Sequence, residues 1–140
     1  NDYLRDCALD GRYNVNEEDI QWASIATLKR AYAMIEEAGS KVFLMPAGLR
    51  SIRQITECAG ARMIMSISPA MQDAMEDSEQ IEKISVPVPS APIERLLKMP
   101  EFCKAYEPDG MKKTDFIGYG VVERTTTFFI DNGWSKMTAK

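Results

Sequence analysis

Apolar residues follow two rhythms along the chain. Between Asn16 and Ala38, Trp22, Ile25, Leu28, Tyr32 and Ile35 recur at spacings of three and four, the mark of an amphipathic helix with one apolar stripe. Asn16 suits the N-cap with Asp19 three residues on, Glu17 and Glu18 complement the positive end of the helix dipole, and Gly39 closes the element. A helix over 16–38, packed on a sheet, is the expectation. At Lys41 the rhythm changes. Val42-Phe43-Leu44-Met45 is continuously apolar, as a strand buried on both faces would be, and Pro46-Ala47-Gly48 stops it. A small amphipathic helix over 51–59 follows, with Ile52, Ile55 and Ala59 inward, Arg53, Gln54 and Glu57 outward, and Gly60 at its end. A second apolar run, Met63 to Ile67, leads into Ser68-Pro69, where a helix over 70–77 opens with Met71, Ala74 and Met75 inward.

Strand 41–45, helix 51–59, strand 63–67 and helix 70–77 with short connections read as a βαβα unit. The fold class expected from it is α/β, with parallel strands and a right-handed crossover. Ligands of such folds gather at the carboxyl ends of the strands, here 46–51 and 66–69. The flanks are less regular. Asn1 to Asn14 reads as a loop or a frayed short helix whose Arg5 and Arg12 are solvated surface sooner than ligands of an anion. The proline-rich stretch 85–92, containing VPVPSAP, reads as a stiff surface connection rather than a recognition peptide, and Ile93 to Lys98 as one or two helical turns. Helices over 101–106 and 115–131 close the chain. The last carries Phe116, Tyr119, Val122, Thr126 and Phe129 on one stripe, with Ile117, Val121 and Phe128 beside it. Thr125-Thr126-Thr127 weakens its propensity, so packing against a partner surface must hold it.

The residue with the clearest candidate chemistry is Arg50, just past the carboxyl end of the first strand. A guanidinium there can grip a phosphate bidentately, the amides of Ser51 and Ile52 open a helix N-terminus, and the Gly48 amide can approach an anion closely. Ser66 and Ser68 at the mouth of the second strand either line the pocket or satisfy strand-end backbone and cap the next helix, the second role being the better supported. Composition excludes several classes. A net charge of −4 argues against general nucleic-acid binding. With 45% hydrophobic and 27% charged residues the chain is globular in character, and no apolar run reaches the length of a membrane span, so a cytoplasmic protein is expected. The sequence has no histidine, which removes Ser-His-Asp and Cys-His catalysis and the commonest metal sites. Cys7, Cys58 and Cys103 are widely spaced and odd in number, and indicate neither a zinc site nor a disulfide framework.

The segment MPAGLRSIRQITECAGARMIMSISP, residues 45–69, resembles the stretch of transaldolases that reads MGASFRNxxEIxxLAGCDxLTISP. Met45, Ala47, Arg50, Ile55, Ala59, Gly60, Ile67, Ser68 and Pro69 match in register and without a gap. The resemblance implies the family's seventh strand, its helix and its eighth strand, within the C-terminal part of a (β/α)8 TIM barrel. It further implies a pentose phosphate pathway enzyme that transfers a dihydroxyacetone unit between sugar phosphates, through a lysine Schiff base and without metal or organic cofactor. The matching arginine of the family binds the substrate phosphate, which assigns phosphate binding to Arg50 with Gly48 and Ser51. Two positions depart from the pattern: Pro46 stands where the family has glycine, and Gly48 where it has a serine hydroxyl. The family's lysine and its acidic partners lie on earlier strands, so no catalytic residue is expected in this chain. A whole barrel takes about 250 residues and this chain has 140, so a C-terminal portion is expected. Its expected partners are the sugar-phosphate substrate and the missing half of the barrel, on the same chain, a second chain or another copy in an oligomer. The alternative is a partial barrel that no longer performs the reaction and serves ligand binding or subunit association.

Overall fold

The computed structural model describes residues 1–75 and 83–138. Its helices are α1 (Asp2–Asp10), α2 (Glu17–Glu37), α3 (Ile52–Thr56), α4 (Pro69–Asp73), α5 (Ser90–Leu96), α6 (Pro100–Tyr106), α7 (Gly120–Phe129) and α8 (Ser135–Thr138). A 3-10 turn covers Lys113–Phe116, and a π turn, Ile130–Trp134, joins α7 to α8. Among the described residues there is no strand, so the architecture is all-α and the expected parallel α/β barrel portion is overturned.

The helix expected over 16–38 spans Glu17–Glu37, and its start shows why it is well defined. Asn16 Oδ1 accepts from the Asp19 amide at 2.9 Å while Asp19 Oδ2 accepts from the Asn16 amide at 3.1 Å, a reciprocal cap. Around α2 the rest is assembled. Ile20, Ala23 and Ala26 pack against Leu96, Met99 and Phe102 of the α5–α6 region and Ala8 of α1, forming the core. This face differs from the expected stripe, of which only Ile25 is fully buried; Trp22, Leu28, Tyr32 and Ile35 are half-buried. The small side chains of Ala23 and Ala26 let neighbouring helices approach closely, whereas the bulky stripe turns towards α3 and the extended segments. Arg53 lies over the Trp22 ring, and Tyr32 Oη accepts from the Arg62 amide.

The two expected strands lie side by side without becoming a sheet. The Ile64 amide donates to Leu44 O and the Ser66 amide to Pro46 O, in the parallel sense, and residues 61–68 alternate between half-buried and exposed. Those two bonds leave the outer edges uncovered, and Val42, Phe43, Met45 and Ile64 face solvent. A continuous apolar run is what a doubly buried strand requires, but it does not supply the neighbours that bury it. Other boundaries shift as well. The stretch expected as a loop or frayed helix before Asn14 forms α1. The helix expected over 51–59 is helical at Ile52–Thr56, with Ile52 exposed and Gln54 buried. That expected over 70–77 covers Pro69–Asp73 with Ala74 at its C-cap, exposed where an inward position was expected, and residues 76 and 77 lie outside the described residues. The proline-rich connection stops at Pro89, because Pro92 fits the first turn of α5, where no amide donor is needed. The single helix expected over 115–131 is interrupted at Gly118, whose φ of +85° a side chain would strain. Among the described residues no helix is long and apolar enough to cross a membrane.

One ion pair joins the halves of the core. Asp19, with 0% of its side chain exposed, receives Arg95 bidentately, Nε to Oδ2 at 2.8 Å and a terminal nitrogen to Oδ1 at 2.6 Å. Arg95 beside it holds the Asp19 carboxyl below the ordinary carboxylate range, outweighing the opposing effect of burial. A lowered carboxyl stabilises the fold above the ordinary aspartate value near 4 and loses that contribution as pH falls through the folded value. Arg95→Met leaves a buried charge unpaired and is expected to cost about 3 kcal/mol in urea unfolding at neutral pH. The same substitution flattens the loss of stability below about pH 4, which a pH series of the two proteins measures.

Candidate functional site

A cavity of about 550 Å³ opens between the start of α1, one side of α2, residues 46–50, α6 and the Tyr119–Val121 turn. Most of its wall is apolar, from Leu4, Ile25, Leu28, Phe102 and Tyr119, and its polar groups include Asp2, Ser24, Thr27, Arg50 and Gln54. Gln54 organises the Arg50 side. Its side-chain oxygen accepts from the amides of Arg50 at 2.6 Å and Ser51 at 3.2 Å, and its amide nitrogen donates to Ser24 Oγ at 2.8 Å. One buried side chain thereby fixes the turn after Pro46 onto α2.

The sequence-derived residues divide accordingly. Gly48 and Arg50 line the cavity. Gly48 has φ +66° with open space where a Cβ would stand, so its glycine answers a backbone requirement rather than crowding. The Arg50 side chain is 73% exposed and held by a 3.8 Å pair to Asp2, a carboxylate already bonded to Arg5 at 2.8 Å. Ser51 does not line the cavity; its Oγ is buried without a partner and its amide is committed to Gln54. The expected pair of amides facing an anion at this helix start is therefore closed on the Ser51 side by a side chain of the same chain. Ser66 and Ser68 lie outside the cavity. Both are exposed, and the Ser68 carbonyl accepts from the amides of Met71 and Gln72 at the start of α4. Arg5 is committed to Glu17 through two bonds of 2.7 Å and to Asp2.

Two residues escaped the sequence reading. The helical stripe turns Gln54 outward, yet Ser51-x-x-Gln54 is a capping-box pattern that points to its bond with the Ser51 amide. Lys29 carries no local pattern that sets it apart from the other lysines. Its side chain is only 9% exposed, and Nζ donates to Glu57 at 2.9 Å, Lys83 O at 2.8 Å and Val86 O at 2.7 Å. All three ammonium protons have acceptors, so this lysine is a clamp between α2, the end of α3 and residues 83–86, not a nucleophile.

Near the far wall, Tyr3 Oη donates to Glu101 at 3.2 Å and Tyr119 Oη to the Glu101 carbonyl at 3.3 Å, with the rings edge to face. Burial pushes both phenols up, as it does the Cys58 thiol, so all three stay protonated at neutral pH. Among the described residues no group of three His, Cys, Asp or Glu could hold a metal ion. The geometry therefore offers an exposed guanidinium beside a largely apolar cavity, which suits holding an anion at its edge. No family model, curated protein or solved structure matches the chain.

Two substitutions test this construction. Gln54→Leu keeps the volume but strands two amides and Ser24, and is expected to cost about 2 kcal/mol. Hydrogen exchange at Arg50 and Ser51 should accelerate while the Ala23 and Phe102 region keeps its protection. Lys29→Met removes the ammonium, leaving two carbonyls unsatisfied and Glu57 with only the 3.8 Å pair to Lys83, with an expected loss of about 3 kcal/mol in denaturant unfolding.

Proposed function

We propose that this chain forms the phosphate-gripping part of a transaldolase-like transferase. In this reading the enzyme moves a dihydroxyacetone unit between sugar phosphates in the cytoplasm, with the Schiff-base lysine outside these residues. The observation that carries it is Arg50, which combines the matched position in the 45–69 resemblance with a place beside the cavity and an almost unencumbered guanidinium. Its pair with Asp2 is exposed and long, and a phosphate dianion displaces such a contact at little cost. With the Arg50 and Ser51 amides committed to Gln54, the grip rests on the guanidinium, supported by the approach that Gly48 leaves open. Ser24 and Thr27 are further hydrogen-bonding groups on the wall. The role left to this chain is to bind and orient one end of the substrate. The loss of the serine hydroxyl at Gly48 predicts weaker phosphate binding than the family pattern would give.

Fructose 6-phosphate titrated into the protein should perturb the Arg50 and Gly48 backbone resonances, whereas fructose should not. Arg50→Ala should weaken the phosphate-bearing sugar about tenfold to a hundredfold, the range expected for a lost charge-assisted contact. Equal binding of both sugars, or no effect of Arg50→Ala, removes phosphate recognition from this site. Intact and native mass show whether a longer or second polypeptide accompanies the chain, and borohydride trapping with fructose 6-phosphate then locates the lysine.

A further inference from the structure

The hydroxyls on the wall of the 550 Å³ cavity are already bonded within the protein. Thr27 Oγ1 donates to Ala23 O at 2.9 Å, and Ser24 Oγ donates to Gln21 O at 3.4 Å and accepts from Gln54. The hydroxyls of Tyr3 and Tyr119 both donate to Glu101. The hydroxyl donors of the wall are therefore spent. Asn1 Oδ1, buried without a partner, adds an acceptor only. What the interior offers a ligand is the apolar surface of Leu4, Ile25, Leu28, Phe102 and the Tyr119 ring. A polyol placed against it gives up water and regains few hydrogen bonds, whereas a hydrocarbon gives up nothing of that kind. At the mouth the situation reverses, because the Arg50 side chain is 73% exposed and held by the long pair to Asp2.

We propose that the cavity binds a medium-chain fatty carboxylate, its head on Arg50 and its chain against Leu28, Ile25 and Phe102. The planar fork of a guanidinium matches a carboxylate. Charge fits as well. Arg50 is the one basic side chain among the described lining residues, so it neutralises a carboxylate fully and a phosphate dianion by half. The volume of about 550 Å³ lies within the range of pockets that enclose a small molecule, and such pockets are mostly apolar with a few placed polar groups. An unbranched chain also adapts to a wall that five separate segments supply. A sugar phosphate meets the same guanidinium from the mouth, with its hydroxyls in water, while the fatty chain enters the space behind. The fatty site shares Arg50 with the phosphate reading and stands without the sugar.

Calorimetric titration of the protein with hexanoate, octanoate and decanoate at neutral pH should show binding that tightens about threefold to fourfold for each added CH₂. Octanol, which lacks the charge, should bind about tenfold more weakly than octanoate, and Arg50→Gln should bring octanoate to the octanol level. Ala105→Phe, at an exposed position on the edge of the cavity, should weaken decanoate about tenfold and hexanoate far less. The methyl resonances of Ile25 and Leu28 should shift with decanoate while the Trp134 indole stays in place. Affinity that does not rise with chain length, octanol as tight as octanoate, or shifts at Trp134 in place of Ile25 and Leu28 overturns the proposal. Fructose 6-phosphate that binds where the carboxylates do not overturns it too and leaves the phosphate reading standing. Carboxylates that bind with this chain-length dependence where fructose 6-phosphate does not support it and remove the phosphate reading.

Discussion

The fold depends on how a fully buried carboxylate is satisfied. Asp19 closes the cap of α2 with one oxygen and receives the fork of Arg95 with both. Local and long-range structure therefore meet in a single side chain. If Arg95 were absent, the cap would hold an unpaired charge under Ile20 and Leu96. If the cap were absent, Arg95 would find its partner on a fraying first turn. Hydrophobic burial by Ala23, Ala26, Met99 and Phe102 supplies the bulk of the driving force, and the ion pair selects which helix faces meet.

The same logic recurs along α2. Gln54 bolts the 48–51 turn to Ser24, and Lys29 gathers Glu57 with the carbonyls of Lys83 and Val86. Each attachment is a buried or nearly buried polar group with its partners in place. Arg50 stands apart from this system. Its backbone is fixed by Gln54 while its side chain is left in solvent, an arrangement that holds the base of a binding group firmly and leaves its tip available.

The long helix was legible because its cues are local: an Asn-x-x-Asp cap, acidic first-turn residues and a closing glycine all lie within one segment. Gly48 and Arg50 do line a cavity, although the reason that singled them out, the carboxyl end of a strand in a parallel sheet, does not hold here. What failed depended on neighbours. Val42–Met45 and Met63–Ile67 have the composition of buried strands, and they do find one another, but the sequence cannot state that no further segment flanks them here. The Ser51 amide is turned inward because a residue three positions later, Gln54, accepts from it. Lys29 was invisible because its acceptors are a carboxylate and two carbonyls brought from distant parts of the chain.

The half-formed pairing of 42–46 with 63–67 has a consequence for how the protein behaves in concentrated solution. Two short, uncharged, apolar segments lie extended with open backbone edges, the arrangement onto which further strands add in amyloid growth. Lys41 and Arg62 sit at their borders, and Arg62 covers the Phe43 ring. Arg62 is already paired with Glu36 at 3.0 Å, so opposition to a second copy at these borders rests mainly on Lys41. High salt screens an exposed charge of this kind, so raising the ionic strength shortens the time the protein stays dispersed.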